Sequence, residues 1–590
     1  MKKSFINIVV TILCAIMLSG CQGFLDRFPY DENSASVAFS TAKKAETVLN
    51  GAYSNLGYDY TSSDVLNWDA FAGVLDPQAS AGLTGSFLFL DGTIQPNNTM
   101  FQTWWKRFYE GINRANDVIS HIDAVPDMDA ATKACRKAEA KFLRAYHYYR
   151  LNCLWRGVPV YLENLGPDQY TKPRSSEEDV WGVIIDDLTD CIACESLPDK
   201  YNSTSSSYGR ITKGACYMLR GKAYMWLKEW AKAEADFKAV TTMGYSLPTG
   251  ITYDKLFTLA NERCDEMIFS FQAENVTGCG NVFSRTYGNW ETAGNGNNTY
   301  YMSTDFVDTY ECADGKPFNW DDFLPGYSSM TPAARKIFFC RDGLTASELA
   351  TLTANGADVS KYLPVGNEAR IMAAYAARDP RLAATVITPY SEYKGGFYGE
   401  EVTYVYRYPY RSDETGTGND LRTRRNDNML YCPRKFVTVG RECTDVNYNP
   451  VDVPIFRYAD LLLLLAEAIN EQGASKYTDA IPYVNQVRSR AGAALLNSNA
   501  YTTVTSQEDM RARIRNEKRW ELALEEVLYT EELRWGTWKD FRFGNKAGLK
   551  ELWGTNITTY TFGGDHYIKW ALPESEVEMN RNLKQNDDWL

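Results

Sequence analysis

Residues 214–244 have the spacing of two short helices packed against each other, and this spacing constrains the fold more than any other feature of the sequence. Small and large side chains recur there at the relative positions typical of a tetratricopeptide unit, in which small residues let two antiparallel helices approach closely. The residues in these positions are Tyr217, Gly221, Tyr224, Ala233 and Phe237. The chain is therefore predicted to be mainly α-helical.

Apolar residues recur every three or four positions elsewhere, which indicates further amphipathic helices. Residues 42–56 and 138–194 are predicted to be longer helix pairs, and residues 464–487 repeat the small/large spacing more loosely. The capping-box patterns Ser175-x-x-Glu178 and Ser506-x-x-Asp509 indicate helix starts. We expect roughly four helix pairs that form a superhelical scaffold, and not a regular array of repeats of about 34 residues.

Residues 57–100 and 273–455 lack helical period and are rich in Gly, Asn, Asp, Thr and Tyr. Their many aromatic residues argue against disorder. Long irregular segments of a folded protein are usually functional, and binding residues concentrate in loops held by a rigid scaffold. We therefore expect an N-terminal helical part at 41–272, a loop-rich ligand-binding insertion at 273–455, and a C-terminal helical part at 456–590 that completes the same body.

The first twenty residues have the pattern of a secretory signal peptide, with two lysines followed by an almost uninterrupted apolar run from Phe5 to Leu18. This run is too short to span a bilayer. It ends in Leu18-Ser19-Gly20-Cys21, which resembles a bacterial lipobox. We expect residues 1–20 to be removed, Cys21 to be lipidated, and residues 21–40 to tether the folded body to the lipid.

The composition disfavours several functional classes. A net charge of −13 argues against nucleic-acid binding, which needs a basic surface that displaces counterions. The chain has only 3 His, at widely separated positions, and no P-loop, HExxH, GxSxG or EF-hand motif. The sequence therefore predicts no catalytic residue, no cofactor and no metal site. A calcium ion bound by loops and a glycosidase that uses two of the many carboxylates both stay open.

Two clusters of reactive side chains are interpreted as structural. Cys191-x-x-Cys194 has no second Cys pair and no nearby His to complete a zinc site, and Cys191 follows the apolar period of its helix. The other cluster lies on one C-terminal helix, and we interpret it as a charged helix that forms ion pairs with its neighbours. Its members are Glu517, Glu521, Glu525 and Glu526 with Arg513, Arg515 and Arg519.

A series of short motifs follows in order along almost the whole chain after Cys21. They are Phe24-Leu25-Asp26, Trp105-x-x-x-Tyr109-x-x-Ile112-x-x-Ala115-Asn116, Phe142-Leu143-Arg144-Ala145-Tyr146, Gly157-Val158-Pro159, Gly209-Arg210-Ile211-Thr212-Lys213-Gly214-Ala215, Asp379-Pro380-Arg381-Leu382, Pro454-Ile455-Phe456-Arg457-Tyr458-Ala459-Asp460, Val487-Arg488-x-Arg490-Ala491-Gly492 and Gln585-Asn586. With these motifs the chain resembles the SusD/RagB family of outer-membrane nutrient-binding lipoproteins from Gram-negative polysaccharide-utilisation systems. The family pattern is less clear at Glu517-Lys518-Arg519 and at 529–533.

The resemblance implies a helical scaffold with a loop-rich binding face and no catalysis. It also implies a cell-surface location in the outer membrane, an oligosaccharide ligand, and a partner that is a TonB-dependent transporter of the SusC type. Two alternatives stay open. One is a tetratricopeptide-type interaction protein that binds a non-glycan ligand such as a peptide, and the other is a surface glycoside hydrolase.

Candidate ligand-binding residues come from composition, because sugar rings stack on aromatic side chains and buried hydroxyl groups need polar partners. The Gly/Asn-rich segment at 278–301 and the early irregular segment supply them. The candidates are Asn67, Trp68, Arg285, Tyr287, Asn289, Trp290, Asn297, Asn298, Tyr300 and Tyr301. Aromatic residues that lie in helical or framework segments, such as Trp104 and Trp105, are expected in the core.

Overall fold

The computed structural model describes residues 35–61, 67–78, 84–411, 419–443, 445–544 and 548–590. The predicted signal peptide, the lipidated Cys21 and most of the tether lie outside these residues. Cysteines are numerous in the described part, and the eleven from Cys135 to Cys443 are all unpaired there.

The chain is mainly α-helical, as predicted. The helices of the described residues, numbered in chain order, are α1 (Ala35–Ala38), α2 (Ala42–Ser54), α3 (Trp68–Ala72), α4 (Thr84–Asp91), α5 (Thr99–His121), α6 (Ala130–Trp155), α7 (Glu177–Ala193), α8 (Lys213–Trp226), α9 (Trp230–Thr241), α10 (Tyr253–Leu256), α11 (Phe283–Tyr287), α12 (Thr304–Val307), α13 (Pro332–Arg335), α14 (Ala346–Ala354), α15 (Asn367–Ala376), α16 (Pro380–Thr385), α17 (Tyr458–Asn470), α18 (Tyr477–Ala491), α19 (Gln507–Leu522), α20 (Leu528–Trp535), α21 (Trp538–Phe543) and α22 (Glu574–Met579).

Short strands connect parts of the chain that are distant in sequence. They are β1 (Leu75–Pro77), β2 (Met267–Phe271), β3 (Tyr300–Met302), β4 (Val386–Ile387), β5 (Glu392–Gly395), β6 (Val402–Val405), β7 (Cys432–Pro433) and β8 (Val453–Arg457). Each pairs antiparallel with one partner, as β1–β3, β2–β8, β4–β7 and β5–β6. Of these four sheets, only β5–β6 is a local hairpin. The β4–β7 sheet joins two parts of the loop-rich segment, while β1–β3 and β2–β8 join that segment to strands that precede it in the chain.

The longer helices pack as consecutive pairs, notably α5 with α6, α6 with α7, α8 with α9, and α17 with α18. The spacing that predicted the α8–α9 pair has a direct structural cause. A Cβ atom on Gly221 would lie 2.4 Å from Cε1 of Phe237, so only glycine allows this approach of the two helices. The Ser506 cap is confirmed, since its hydroxyl accepts from the Asp509 amide. The other predicted cap was one residue early, because Ser176 and not Ser175 caps α7.

Charged side chains form a buried network where β8, α16, α18 and α19 meet. The Arg457 guanidinium, 1% exposed, lies 2.6 Å from Glu521 and 2.7 Å from Glu266 through Nη1, and 2.6 Å from Glu525 through Nε. Arg381 joins the same network through Glu517 at 2.6 Å. We refer to these side chains, with Asp379, Glu311, Lys435, Arg488 and Arg490, as the ion network.

The ion network confirms that Glu517 and Glu521 of α19 form ion pairs with neighbouring elements. The prediction that all four glutamates lie on one helix was wrong, because α19 ends at Leu522 and Glu525 and Glu526 follow it. Arg513 pairs with Asp509, and Arg519 pairs with Glu532. Glu526 belongs to a different place: its carboxylate accepts from the Tyr287 hydroxyl at 2.8 Å, and burial beside Asp69 raises its pKa well above the usual value. Burial therefore disfavours the charged form of Glu526.

Candidate functional site

Seven of the ten candidate ligand-binding residues lie in the core, so their side chains are inaccessible to a ligand in this structure. They are Asn67, Trp68, Tyr287, Asn289, Asn298, Tyr300 and Tyr301. Their polar groups serve the fold: Asn67 accepts from the Ala70 amide and so caps α3, and Tyr287 donates to Glu526. These residues were predicted to bind ligand because of the composition of their segment. Pairing of β3 with β1 and packing of α11 turn most of their side chains inward.

The other three candidates, Arg285, Trp290 and Asn297, are half-buried and reach the surface. The Asn297 amide donates to the Arg285 carbonyl at 2.7 Å, which holds the two residues together. The Arg285 side chain donates from Nη1 to the Asn447 side chain at 2.7 Å. The structure thus brings these two polar candidates to one loop cluster, with Trp290 on the same segment.

Trp290 has surface neighbours that composition did not reveal. The turn of the β5–β6 hairpin carries Phe397, 37% exposed, and Tyr398, 62% exposed, with their ring centroids 4.9 Å apart. Backbone hydrogen bonds fasten this turn beside Trp290, because the amides of Gly396 and Phe397 both donate to the Glu291 carbonyl. We call Trp290, Phe397, Tyr398 and Arg422 the aromatic platform.

Arg422 links the two sides of the aromatic platform. Its guanidinium carbon lies 4.9 Å from the ring centroid of Trp290 and 5.8 Å from that of Tyr398, within the range of cation–π attraction. The Arg422 carbonyl accepts from the Trp290 amide at 3.2 Å, and Nε lies 3.2 Å from the buried Glu291 carboxylate. These contacts fix the guanidinium between the rings and place a hydrogen-bond donor beside them.

Sequence reasoning missed Phe397, Tyr398 and Arg422, which are more than a hundred residues from Trp290. One signal was available: the run Gly395-Gly396-Phe397-Tyr398-Gly399 predicts a tight turn with aromatic residues at its tip. The connection of this turn to Trp290 depends on the contacts of Glu291, which no local pattern encodes.

Other features of the described residues offer less for ligand binding. A groove of about 840 Å³ between the loop 246–252 and α18 includes one aromatic ring, that of Tyr458.

His147 is buried, and desolvation together with the charge of Arg150 lowers its pKa to about 3, so it stays neutral. Across residues 35–590, wherever the structure describes them, three or more His, Cys, Asp or Glu side chains never meet in an arrangement able to hold a metal ion.

Within the same described ranges, none of the helices combines enough length with enough apolar character to cross a bilayer.

Comparisons with known proteins cover most of the chain. A sequence model described as the SusD family matches residues 265–589, and one described as starch-binding associating with outer membrane matches residues 23–225. SusD-like protein P38 of Formosa agariphila is 24% identical over 89% of this chain and 90% of its own length. The starch-binding protein SusD of Bacteroides thetaiotaomicron is 24% identical over 79% of this chain and 75% of its own.

Solved structures show the same fold. A SusD-like protein from Bacteroides fragilis superposes with a TM-score of 0.70 at 22% identity, covering 95% of this chain and 100% of that one. A laminarin-binding SusD-like protein gives a TM-score of 0.60 at 19% identity, covering 93% of this chain and 100% of that one. Because the SusD family model alone matches more than half of the sequence, this chain belongs to the SusD family.

Proposed function

We propose that this protein binds an oligosaccharide at the aromatic platform and does not cleave it. The observation that supports this most directly is the exposure of Tyr398 beside Trp290 and Arg422 on a fastened turn. The names of its relatives agree, since they include a starch-binding and a laminarin-binding protein.

The chemistry of the aromatic platform suits a sugar. Sugar rings have flat C–H faces that pack on aromatic rings, and their hydroxyl groups need hydrogen-bond partners once water is displaced. Trp290, Phe397 and Tyr398 supply the rings, while Arg422 supplies hydrogen-bond donors. The guanidinium is already held in place, so a ligand orders few side chains when it binds.

Replacement of Tyr398 by Ala is expected to weaken oligosaccharide binding about 10-fold or more, equivalent to about 1.4 kcal/mol, because one stacking surface is lost. Trp290→Ala should have an effect at least as large, since it also removes the ring on which Arg422 packs. The measurement is isothermal titration calorimetry of the mature protein against a panel of polysaccharides and their oligosaccharides.

Tyr501→Ala is the matched control, because Tyr501 is also an exposed tyrosine, at 48%, but lies outside the aromatic platform. Unchanged affinity in both platform variants would reject the platform as the site. Binding to peptides and to none of the glycans would favour the interaction-protein alternative. Release of reducing ends that is lost on carboxylate substitution would favour the hydrolase.

We also propose that the protein is anchored in the outer membrane through lipidated Cys21 and delivers its ligand to a SusC-like TonB-dependent transporter. Family membership supports this role, as does the description of the matched N-terminal family. We expect the wild-type protein to fractionate with the outer membrane and to co-purify in detergent with a TonB-dependent barrel, and Cys21→Ser to lose membrane association. A Cys21→Ser protein that stays in the membrane fraction would contradict the anchor.

A further inference from the structure

A pocket of about 350 Å³ lies between α5, the loop 157–170 and α22, and it contains none of the residues of the aromatic platform. Aromatic rings form a continuous wall along it. Ring centroids are 4.9 Å apart for Trp105 and Tyr109, 6.2 Å for Tyr109 and Tyr161, and 5.0 Å for Tyr161 and Tyr170. We call this cavity the helix-side pocket.

Three polar side chains of the helix-side pocket have unused hydrogen-bonding capacity. Within the part of the chain that the structure describes, the Glu576 carboxylate receives no hydrogen bond and no ion pair, and burial raises its pKa above the usual value. Oδ1 of Asn113 is buried and has no partner. Lys106 is exposed at the rim, where its ammonium group is able to donate.

The charges of the helix-side pocket distinguish between classes of ligand. The Glu576 carboxylate would repel an anionic ligand. Lys106 would repel a cationic ligand, and so would Lys172, whose Nζ lies 5.3 Å from the Tyr161 ring centroid. Glu110 also lines the pocket, but Arg114 neutralises it at 2.6 Å. A neutral ligand with hydroxyl groups satisfies both signs at once, because a hydroxyl donates to a carboxylate and accepts from an ammonium group.

We propose that the helix-side pocket is a second saccharide-binding site, which holds one or two neutral sugar residues against the half-buried rings of Tyr109 and Tyr170, while the buried rings of Trp105 and Tyr161 complete the wall. Its volume is near the lower end of the range of about 300–1,000 Å³ for small-molecule sites, which suits a short saccharide and not a long chain. The ligand class agrees with the proposed function, but the site is separate from the aromatic platform. Two sites on one protein raise the avidity for a polysaccharide that reaches both.

The test is saturation-transfer difference NMR with glucose, galactose, mannose, xylose, maltose and cellobiose, each at millimolar concentration. We expect signals from at least one of these sugars to persist in the double variant Trp290→Ala/Tyr398→Ala. Tyr170→Ala, which removes one ring of the wall, and Glu576→Gln, which removes the carboxylate at nearly constant volume, should each reduce those signals about five-fold or more. Thermal denaturation midpoints establish that the variants are folded.

Glu578→Gln is the matched control, because Glu578 lies on the same helix α22, is exposed, and does not line the helix-side pocket; its signals should equal those of the wild type. If the platform variant abolishes every signal while the pocket variants change none, the second site is rejected and the proposed function stands. If no sugar of the panel gives a signal with the wild type, the second site is also rejected, and calorimetry with longer glycans decides the proposed function separately.

Discussion

Replacement of Arg457 by Met is expected to lower the free energy of unfolding by about 3–5 kcal/mol, the cost of breaking a buried ion pair by removing one partner. Arg457 contacts the carboxylates of Glu266, Glu521 and Glu525, and its Nη2 also donates to the Glu521 carbonyl at 2.7 Å. All of these groups are buried, so water cannot replace the lost cation.

The Glu521 carboxylate does not readily take up a proton, so protonation does not easily remove the cost of its burial. The charges of Arg490, Arg457 and Arg381 hold the pKa of Glu521 at about 2 despite its burial, so it is fully ionised at neutral pH. Without Arg457, part of that stabilisation disappears while the carboxylate remains buried. Neutralising a neighbour in the double variant Arg457→Met/Glu525→Gln should therefore recover part of the loss.

Urea unfolding followed by circular dichroism measures the effect, with Lys476→Met as the control. Lys476 and Asp479 also form an ion pair, at 3.1 Å, but both side chains are more than half exposed. An exposed pair contributes about 0–1 kcal/mol, so the control variant should be close to the wild type. Equal stability of the Arg457 and Lys476 variants would contradict a structural role for the ion network.

The ion network also shows why the sequence predicted the fold well. Several of the motifs that identify the family contribute directly to it: Asp379-Pro380-Arg381 at α16, Arg457 at the end of β8, and Arg488 with Arg490 in α18. The helix pairs were predictable for a simpler reason. Both the apolar period and a close approach such as that of Gly221 to Phe237 depend on the spacing of residues that are near each other in the sequence. The pairing of the α19 glutamates with distant arginines was not predictable from the sequence, because it depends on tertiary contacts.

The loop-rich segment was predicted less completely. It contains helices such as α14 and α15 and a set of short sheets that fold many of its aromatic residues inward. Composition identified Trp290 as a candidate, but it could not separate this half-buried ring from fully buried ones such as Tyr300 and Tyr301. The difference lies in the β1–β3 pairing and in the backbone hydrogen bonds from the hairpin turn to Glu291.

Trp68→Ala is expected to lower the free energy of unfolding by about 3–5 kcal/mol, the usual cost of truncating a large buried aromatic residue. The Trp68 side chain is 1% exposed, and its ring centroid lies 4.9 Å from that of Trp104 and 5.7 Å from that of Trp570. Its Nε1 donates to Asp59 at 3.2 Å, and the Arg150 guanidinium lies 4.8 Å from the ring centroid. Truncation therefore leaves both a cavity and an unpaired buried carboxylate oxygen.

Comparison of Trp68→Ala with Trp290→Ala separates the structural tryptophan from the proposed ligand-binding one. Denaturant unfolding should show a large loss for Trp68→Ala and a change of about 1 kcal/mol or less for the half-buried Trp290. Calorimetry on the folded protein should show the reverse order, with oligosaccharide affinity kept in Trp68→Ala and reduced in Trp290→Ala. If Trp68→Ala weakens binding while its unfolding free energy is unchanged, the ring contacts ligand and its assignment to the core is wrong.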